Sequence, residues 1–216
     1  MLYKTSIKEL FWEEVITVTI SLVKGQKVDL TKGNAGLSNI IVGLGWDPAE
    51  TKGKGLFARK NTTANIDCDA SALLLNANGK LPKKENIICF YNTKSPCGSV
   101  RHTGDNITGE GDGDDEQIIV DLAKVPSDIE RILMVVNIYE CESRRQDFGM
   151  IKSAFIRVVN PSNNQEIVRF NLTDSYAGMT ALLVGEIYRH NGEWKFNALG
   201  EGAHAPHIND LAQRYT

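Results

Sequence analysis

Residues 182–199 read LLVGEIYRHNGEWKFNAL. The Asn191-Gly192 pair near the middle is the strongest short-range signal for a tight β-hairpin, because both residues accept the positive φ that such turns require. Strand-like runs flank it, at 182–189 and 193–199. This stretch predicts two antiparallel strands joined by a short turn.

Alternation of apolar and polar residues continues through the rest of the chain. Ile40, Val42, Leu44 and Trp46 recur with the period of two that places side chains on one face of a strand. We expect eight to ten strands in all; the further candidates are 66–75, 87–91, 118–122, 131–140, 150–159 and 166–172. The strands follow one another without the helical stretches of βαβ units, so an antiparallel β-sandwich with few short helices is predicted.

The N-terminal residues carry a helical signal. Ser6 and Glu9 have the spacing of a capping box, and apolar residues follow at helical intervals. We therefore divide the chain into an N-terminal extension at 1–18, for which the capping box predicts a helix, and a β-sandwich domain at 19–216.

Composition excludes several classes of protein. The chain has 216 residues, 42% apolar and 24% charged, with a net charge of −3, which is unlike a disordered sequence. Its longest apolar run, 132–136, is far too short for a transmembrane helix. Acidic residues interrupt the apolar part of the N-terminus, so no secretory signal is predicted and a cytoplasmic location is expected.

The four cysteines have no C-x-x-C spacing, which excludes a zinc knuckle or a dithiol redox motif. They are expected to be free thiols, with Cys68 and Cys89 packed in a core.

The most unusual segment is acidic. Residues 104–116 read GDNITGEGDGDDE, and residues 101–123 contain seven acidic side chains and one basic one. Nucleic-acid binding needs the opposite charge. The glycines allow tight turns, and the carboxylates between them would repel one another without a cation. Calcium, which takes six to eight oxygen ligands, suits such a loop better than magnesium does.

A second acidic element precedes this loop in the chain. In a strand at 66–75, Asp67 and Asp69 share one face while Cys68 and Ala70 take the other. With the loop they give seven candidate carboxylates, more than one calcium ion normally recruits, so one or two ions are expected. The seven are Asp67, Asp69, Asp105, Asp112, Asp114, Asp115 and Glu116.

Several stretches together resemble the TerD family of tellurite-resistance and general-stress proteins. They are 43–47 (GLGWD), 67–72 (DCDASA), 102–116, 154–157 (AFIR), 185–189 (GEIYR) and 193–196 (EWKF). The resemblance covers about residues 19–202, and the acidic loop is its most specific part. It implies a β-sandwich with calcium-binding loops and no catalytic activity. Carried over by position, it adds Asn106 to the candidate metal ligands.

The resulting hypothesis is a calcium-binding stress-response protein that acts as a sensor or scaffold. Its expected partners are other stress-response proteins and, in the presence of calcium, membranes; nucleic acid is not expected. Two alternatives remain open: a metal-dependent phosphoester hydrolase, which would need a basic group such as Arg101 or His102, and a metal-bridged nucleotide- or lipid-binding module.

Overall fold

The computed structural model describes residues 19–48, 50–51, 62–63, 66–104 and 113–216. Within these ranges the chain forms fourteen strands. They are β1 (Ile20–Leu22), β2 (Lys27–Asp29), β3 (Asn39–Pro48), β4 (Glu50–Thr51), β5 (Thr62–Thr63), β6 (Cys68–Leu75), β7 (Ile87–Ile88), β8 (Val100–His102), β9 (Glu116–Asp121), β10 (Arg131–Ile138), β11 (Ile151–Asn160), β12 (Gln165–Asn171), β13 (Ala181–His190) and β14 (Glu193–Ala203). Helices in the same ranges are short: α1 (Cys141–Arg144), α2 (Ile208–Ala212) and three 3-10 turns at Lys84–Asn86, Phe148–Met150 and Gln213–Tyr215.

Twelve of these strands form two six-stranded sheets. Sheet A has the order β1-β12-β11-β3-β9-β8, sheet B has the order β2-β14-β13-β10-β6-β7, and β4 pairs with β5 in a small separate sheet. Among the described strands, β1 and β12 pair in parallel, and the other pairs are antiparallel. The predicted fold class, mainly β with antiparallel-rich sheets and few short helices, is confirmed.

The main core lies between the two sheets. Ile40, Val42, Leu44 and Trp46 of β3 all enter it, as their alternation predicted, and Cys68 and Ala70 meet them from β6 in sheet B. Burial of these facing side chains holds the sheets together.

The C-terminal hairpin forms as predicted. His190 pairs with Glu193, and the two turn residues, Asn191 and Gly192, have φ of 53° and 81°. Positive φ at both positions matches the twist of the flanking strands.

A second, smaller core covers the outer face of sheet B. Leu73 of β6 and Leu133 of β10 pack there with Ile208 and Leu211 of α2. As a result β6 is buried on both faces along its whole length. Polar side chains on the outer face of β6 are therefore enclosed by the C-terminal segment.

The strand prediction differs from the structure in two respects. Fourteen strands exceed the expected eight to ten, because β1, β2, β4, β5 and β8 have only two or three residues each, too few to show a period. The run at 87–91 is a strand only over Ile87–Ile88, after which the chain turns. The helical signal at Ser6 and Glu9 lies outside the described residues.

All four cysteines are free, and Cys68 and Cys89 are buried, as expected. No helix in the described part of the chain is long and apolar enough to span a membrane.

Arg189 of β13 holds the connection between β9 and β10. Its Nη2 donates to the carbonyl oxygens of Val125 (2.7 Å) and Pro126 (3.3 Å), its Nε donates to Ile129 O (3.2 Å), and its guanidinium stacks 4.3 Å from the ring centroid of Trp194. One planar side chain thus satisfies three backbone acceptors.

We expect Arg189→Ala to lower the free energy of unfolding by about 1–3 kcal/mol, because these carbonyl groups lose their donor. For a chain of this size, the melting temperature should fall by roughly 2–4 °C for each kcal/mol of lost stability. The matched control is Arg131→Ala, since Arg131 is exposed and its ion pair with Glu186 is long, at 3.7 Å. Equal melting temperatures for the two variants would contradict a stabilising role of Arg189 in the connection between β9 and β10.

Candidate functional site

Asp67 and Asp69 lie at the start of β6 on the face away from the main core, as the alternation predicted. Both residues are largely buried, at 6% and 8% exposed, while Cys68 between them points into the main core. The Asp67 carbonyl oxygen accepts from Tyr139 N–H at 2.8 Å, and its carboxylate lies 3.7 Å from Nη1 of Arg144. Asp69 is directly opposite Asn137 in the ladder of β6 and β10.

The end of the acidic run is fastened to β3. Asp115 N–H donates to Leu44 O at 2.8 Å, and Trp46 N–H donates back to the Asp115 carboxylate at 2.8 Å. These two bonds fix the chain as it enters β9.

Glu116 connects the two sheets. Its residue is only 1% exposed, and its carboxylate accepts a short hydrogen bond from the backbone N–H of Ala70 on β6. That N–H is open to Glu116 because β7 pairs with β6 only at Ala72 and Leu73. A residue of sheet A thereby completes the hydrogen bonding of a strand in sheet B.

His102 supports Glu116 from the neighbouring strand β8. Its Nε2 lies 3.4 Å from the Glu116 carboxylate, and its Nδ1 accepts from Gly104 N–H at 3.1 Å. Because Nδ1 is an acceptor, the proton of the neutral ring is on Nε2 and faces Glu116. Both ring nitrogens therefore have neighbours within the protein.

Asp114 belongs to a different environment. Its carboxylate receives two bonds from Arg157, from Nε at 2.6 Å and Nη2 at 3.1 Å, and a third from the Gln117 side chain at 3.0 Å. The Asp114 carboxylate lies about 2 Å from where a Cβ on residue 43 would be, so only glycine fits at position 43. Glu166 bridges Arg157 to Arg169 and extends this network across sheet A.

The pKa shifts follow from this crowding of negative charge. Burial raises the pKa of the Cys68 thiol well above its usual value, and Asp69, Asp67, Glu116 and Asp115 raise it further. Two carboxylates next to Cys68 in the chain and two from the distant start of β9 thus act on one thiol.

The carboxyl group of Asp115 is also perturbed. Its partial burial raises its pKa, the Trp46 N–H lowers it, and the charges of Asp47 and Asp114 raise it again, with a net rise. For Arg157, the hydrogen bonds that the guanidinium donates to Asp114 raise its pKa and outweigh its partial burial.

The structure therefore separates the predicted ligands into three groups. Asp67, Asp69, Asp115 and Glu116 all raise the pKa of Cys68, Asp114 pairs with Arg157, and the remaining three lie outside the described residues. Those three are Asp105, Asn106 and Asp112. The described His, Cys, Asp and Glu side chains form no group of three or more arranged to hold a metal ion.

Sequence reasoning did not assign Arg157, Arg144 or the Trp46 N–H to the site. For Arg157 a signal existed: Gly43 and Gly45 alternate on the outer face of β3, and glycines within a strand mark a close approach of other groups. The other two had no local signal.

Comparison with known proteins gives consistent results. The family model described as TerD domain matches residues 18–215. The chain is 56% identical to the Bacillus subtilis (strain 168) "Stress response protein SCP2" over 200 residues, covering 92% of this chain and all of that protein. It is 47% identical to the Serratia marcescens "Tellurium resistance protein TerD" over 185 residues, covering 86% of this chain and 91% of that one.

A solved structure from Streptomyces coelicolor A3(2), described as a homologue of telluride resistance protein (TerD), has the same fold. It superposes with a TM-score of 0.61 at 21% identity, over 84% of this chain and 99% of that chain. From the match over nearly its whole length and these sequence identities, the chain belongs to the TerD domain family of tellurium-resistance and stress-response proteins.

Proposed function

We propose that this chain is a calcium-binding stress-response protein that acts as a sensor or scaffold. The observation that supports this most directly is that the carboxylates of Asp67, Asp69, Asp115 and Glu116 all lie near enough to Cys68 to raise the pKa of its thiol. Three of these residues, Asp67, Asp69 and Glu116, are buried. Like charges in a confined space raise the free energy of the fold unless a cation neutralises them. A bound divalent ion would supply that neutralisation.

The donor set suits calcium. Carboxylate, amide and backbone carbonyl oxygens are its preferred ligands, and it needs six to eight of them. We propose that Asp67, Asp69, Asp115 and Glu116 contribute from the described strands, and that the segment at 105–112 adds ligands for one or two ions. These would come from Asp105, Asn106 and Asp112. We assign Asp114 a positioning role, because Arg157 already neutralises it.

The topology gives this proposal a mechanism. Residues 103–115 connect β8 to β9, which are antiparallel neighbours, so both ends of the acidic segment lie close to Glu116. Calcium would allow this segment to fold against the start of β6 and present a new surface. The partners proposed for that surface are other stress-response proteins in the cytoplasm, or an anionic membrane.

The hydrolase alternative receives less support. It requires a basic group beside the metal, and the ring of His102 is enclosed between Gly104 N–H and Glu116 rather than directed to a substrate. We therefore propose a binding protein rather than an enzyme.

Calcium titration by calorimetry on chelator-stripped protein tests the proposal. We expect saturable binding of one or two ions, much weaker magnesium binding and a raised melting temperature, because the metal binds the folded state. Asp69→Asn should weaken calcium binding about tenfold or more, since one ligand charge is lost. The matched control is Asp121→Asn, whose carboxylate pairs with Lys124. No binding heat and no thermal shift would contradict the proposal.

Adding phosphatidylserine vesicles, with and without calcium, separates the possible partners. Calcium-dependent pelleting with the vesicles would identify a membrane-binding module; calcium binding without pelleting favours a protein partner.

Asp115→Asn should have opposite effects with and without metal. The raised pKa of Asp115 means that its ionised form reduces stability above that pKa and that this cost disappears as pH falls through it. The amide oxygen can still accept from Trp46 N–H. At pH 7 in chelator, the variant should therefore melt at or above the wild-type temperature, whereas in calcium it should melt below it. A lower melting temperature in chelator would contradict this account.

Asp114→Asn distinguishes positioning from ligation. We expect a loss of about 1–3 kcal/mol in the free energy of unfolding, because a charge-assisted pair with Arg157 is weakened. Calcium affinity measured at a temperature where the variant is folded should change less than about threefold. A loss as large as that of Asp69→Asn would instead make Asp114 a ligand.

A further inference from the structure

A small cavity lies on the outer face of sheet B, where the C-terminal segment covers β6 and β10. Its volume is about 110 Å³, several times the roughly 30 Å³ that a water molecule takes in the liquid. The start of α2 and the turn after β7 form its sides. This cavity has room for a charged head group with a few methylene groups.

Its floor is polar and deeply buried. Asp69 and Ser71 alternate along β6 on the same face, and Asn137 stands opposite Asp69 on β10. Ser71 is 1% exposed and Asn137 is 4% exposed. Within the described residues, Ser71 Oγ and Asn137 Oδ1 have no hydrogen-bond partner, although Asn137 Nδ2 donates to Ala205 O at 2.8 Å.

Two such buried acceptors reduce stability unless something hydrogen-bonds to them. An occupant with donor groups would satisfy both.

The rim is aromatic. Phe90, Tyr91 and Tyr139 are partly exposed, with the Phe90 ring centroid 5.0 Å from that of Tyr91 and 6.1 Å from that of Tyr139, in edge-to-face packing. Tyr91 OH donates to Asn209 Oδ1 at 3.3 Å and so joins the two sides of the cavity. Aromatic faces attract organic cations and alkyl chains.

We propose that this cavity binds a primary ammonium group at the end of an alkyl chain. An ammonium has three N–H donors, which match the Asp69 carboxylate, Ser71 Oγ and Asn137 Oδ1. The carboxylate supplies the opposite charge, and the aromatic rim contacts the alkyl part. An anion is disfavoured by Asp69, and a hard metal ion is disfavoured because the rim offers rings in place of further oxygen ligands.

The ammonium group could belong to a lysine side chain of a partner protein or to a free alkylamine. The inference does not depend on calcium binding. Asp69 is shared with the proposed calcium ligands, so the test uses Ser71, which is not among them, and is run in chelator.

The experiment is an NMR titration of the full chain with n-propylammonium. We expect saturable shifts in the amide signals of Ser71, Tyr91, Asn137 and Asn209. A probe with so few heavy atoms should bind with a Kd of about 1 mM. The uncharged 1-propanol should bind at least tenfold more weakly.

The Ser71→Ala variant should bind propylammonium about three- to tenfold more weakly, because one hydrogen bond is lost. Ser99→Ala is the matched control, since Ser99 is also buried but does not line the cavity. Ser71→Val, which fills the cavity, should remove binding while the rest of the spectrum stays native.

Two further probes distinguish the source of the ammonium group. Tighter binding of N-acetyl-lysine methylamide would support a partner's lysine, and tighter binding of 1,4-diaminobutane would support a free amine. The proposal would be overturned by equal shifts with 1-propanol, by no saturation up to about 50 mM propylammonium, or by unchanged affinity in Ser71→Ala. Ordered water would then be the occupant of the cavity.

Discussion

The buried carboxylate of Glu116 connects the two sheets at the end of the sandwich where the acidic residues gather. It comes from sheet A and accepts from the Ala70 N–H of sheet B, with His102 beside it. A carboxyl group that is only 1% exposed is tolerated there because it accepts from a backbone N–H of β6 that β7 leaves without a partner. This bond fixes where β9 begins and hence where the neighbouring carboxylates lie relative to Asp67 and Asp69.

The acidic run consequently contains residues with different roles. Asp114 and Asp115 precede β9, where the chain bends and the alternation of a strand does not yet apply, so Asp114 and Glu116 lie in different environments although they are only two residues apart. Asp114 joins a network of arginines on sheet A, while Asp115 and Glu116 act on Cys68 together with the two aspartates of β6. The first arrangement is electrically balanced by Arg157. The second concentrates negative charge, which is why the proposed cation belongs there.

The outer face of sheet B illustrates how the short C-terminal helix affects the site. By packing on Leu73 and Leu133, α2 encloses the polar side chains of the same strands, and this creates the cavity above Ser71 and Asn137. Because α2 excludes water from this face of sheet B, Ser71 Oγ and Asn137 Oδ1 are buried without a hydrogen-bond partner among the described residues. The proposed calcium site and the proposed ammonium cavity meet at Asp69, so occupancy of one is expected to influence the other.

The sequence by itself determined the features that depend on local order. Alternation identified the main strands and their inward faces, the Asn191-Gly192 pair identified the hairpin, and the period of two placed Asp67 and Asp69 on one side of β6. The TerD resemblance followed from motifs that the chain carries in full. Very short strands such as β4 and β8 escaped detection because they contain no repeat.

Only the tertiary structure decided which of the acidic residues act together. The bond between Ala70 and Glu116 spans 46 residues and that between Arg157 and Asp114 spans 43. The cavity likewise combines side chains from β6, β10 and the C-terminal segment. Such contacts depend on sheet order and strand register, which are set by the packing of the whole core, so no local pattern in the sequence specifies them.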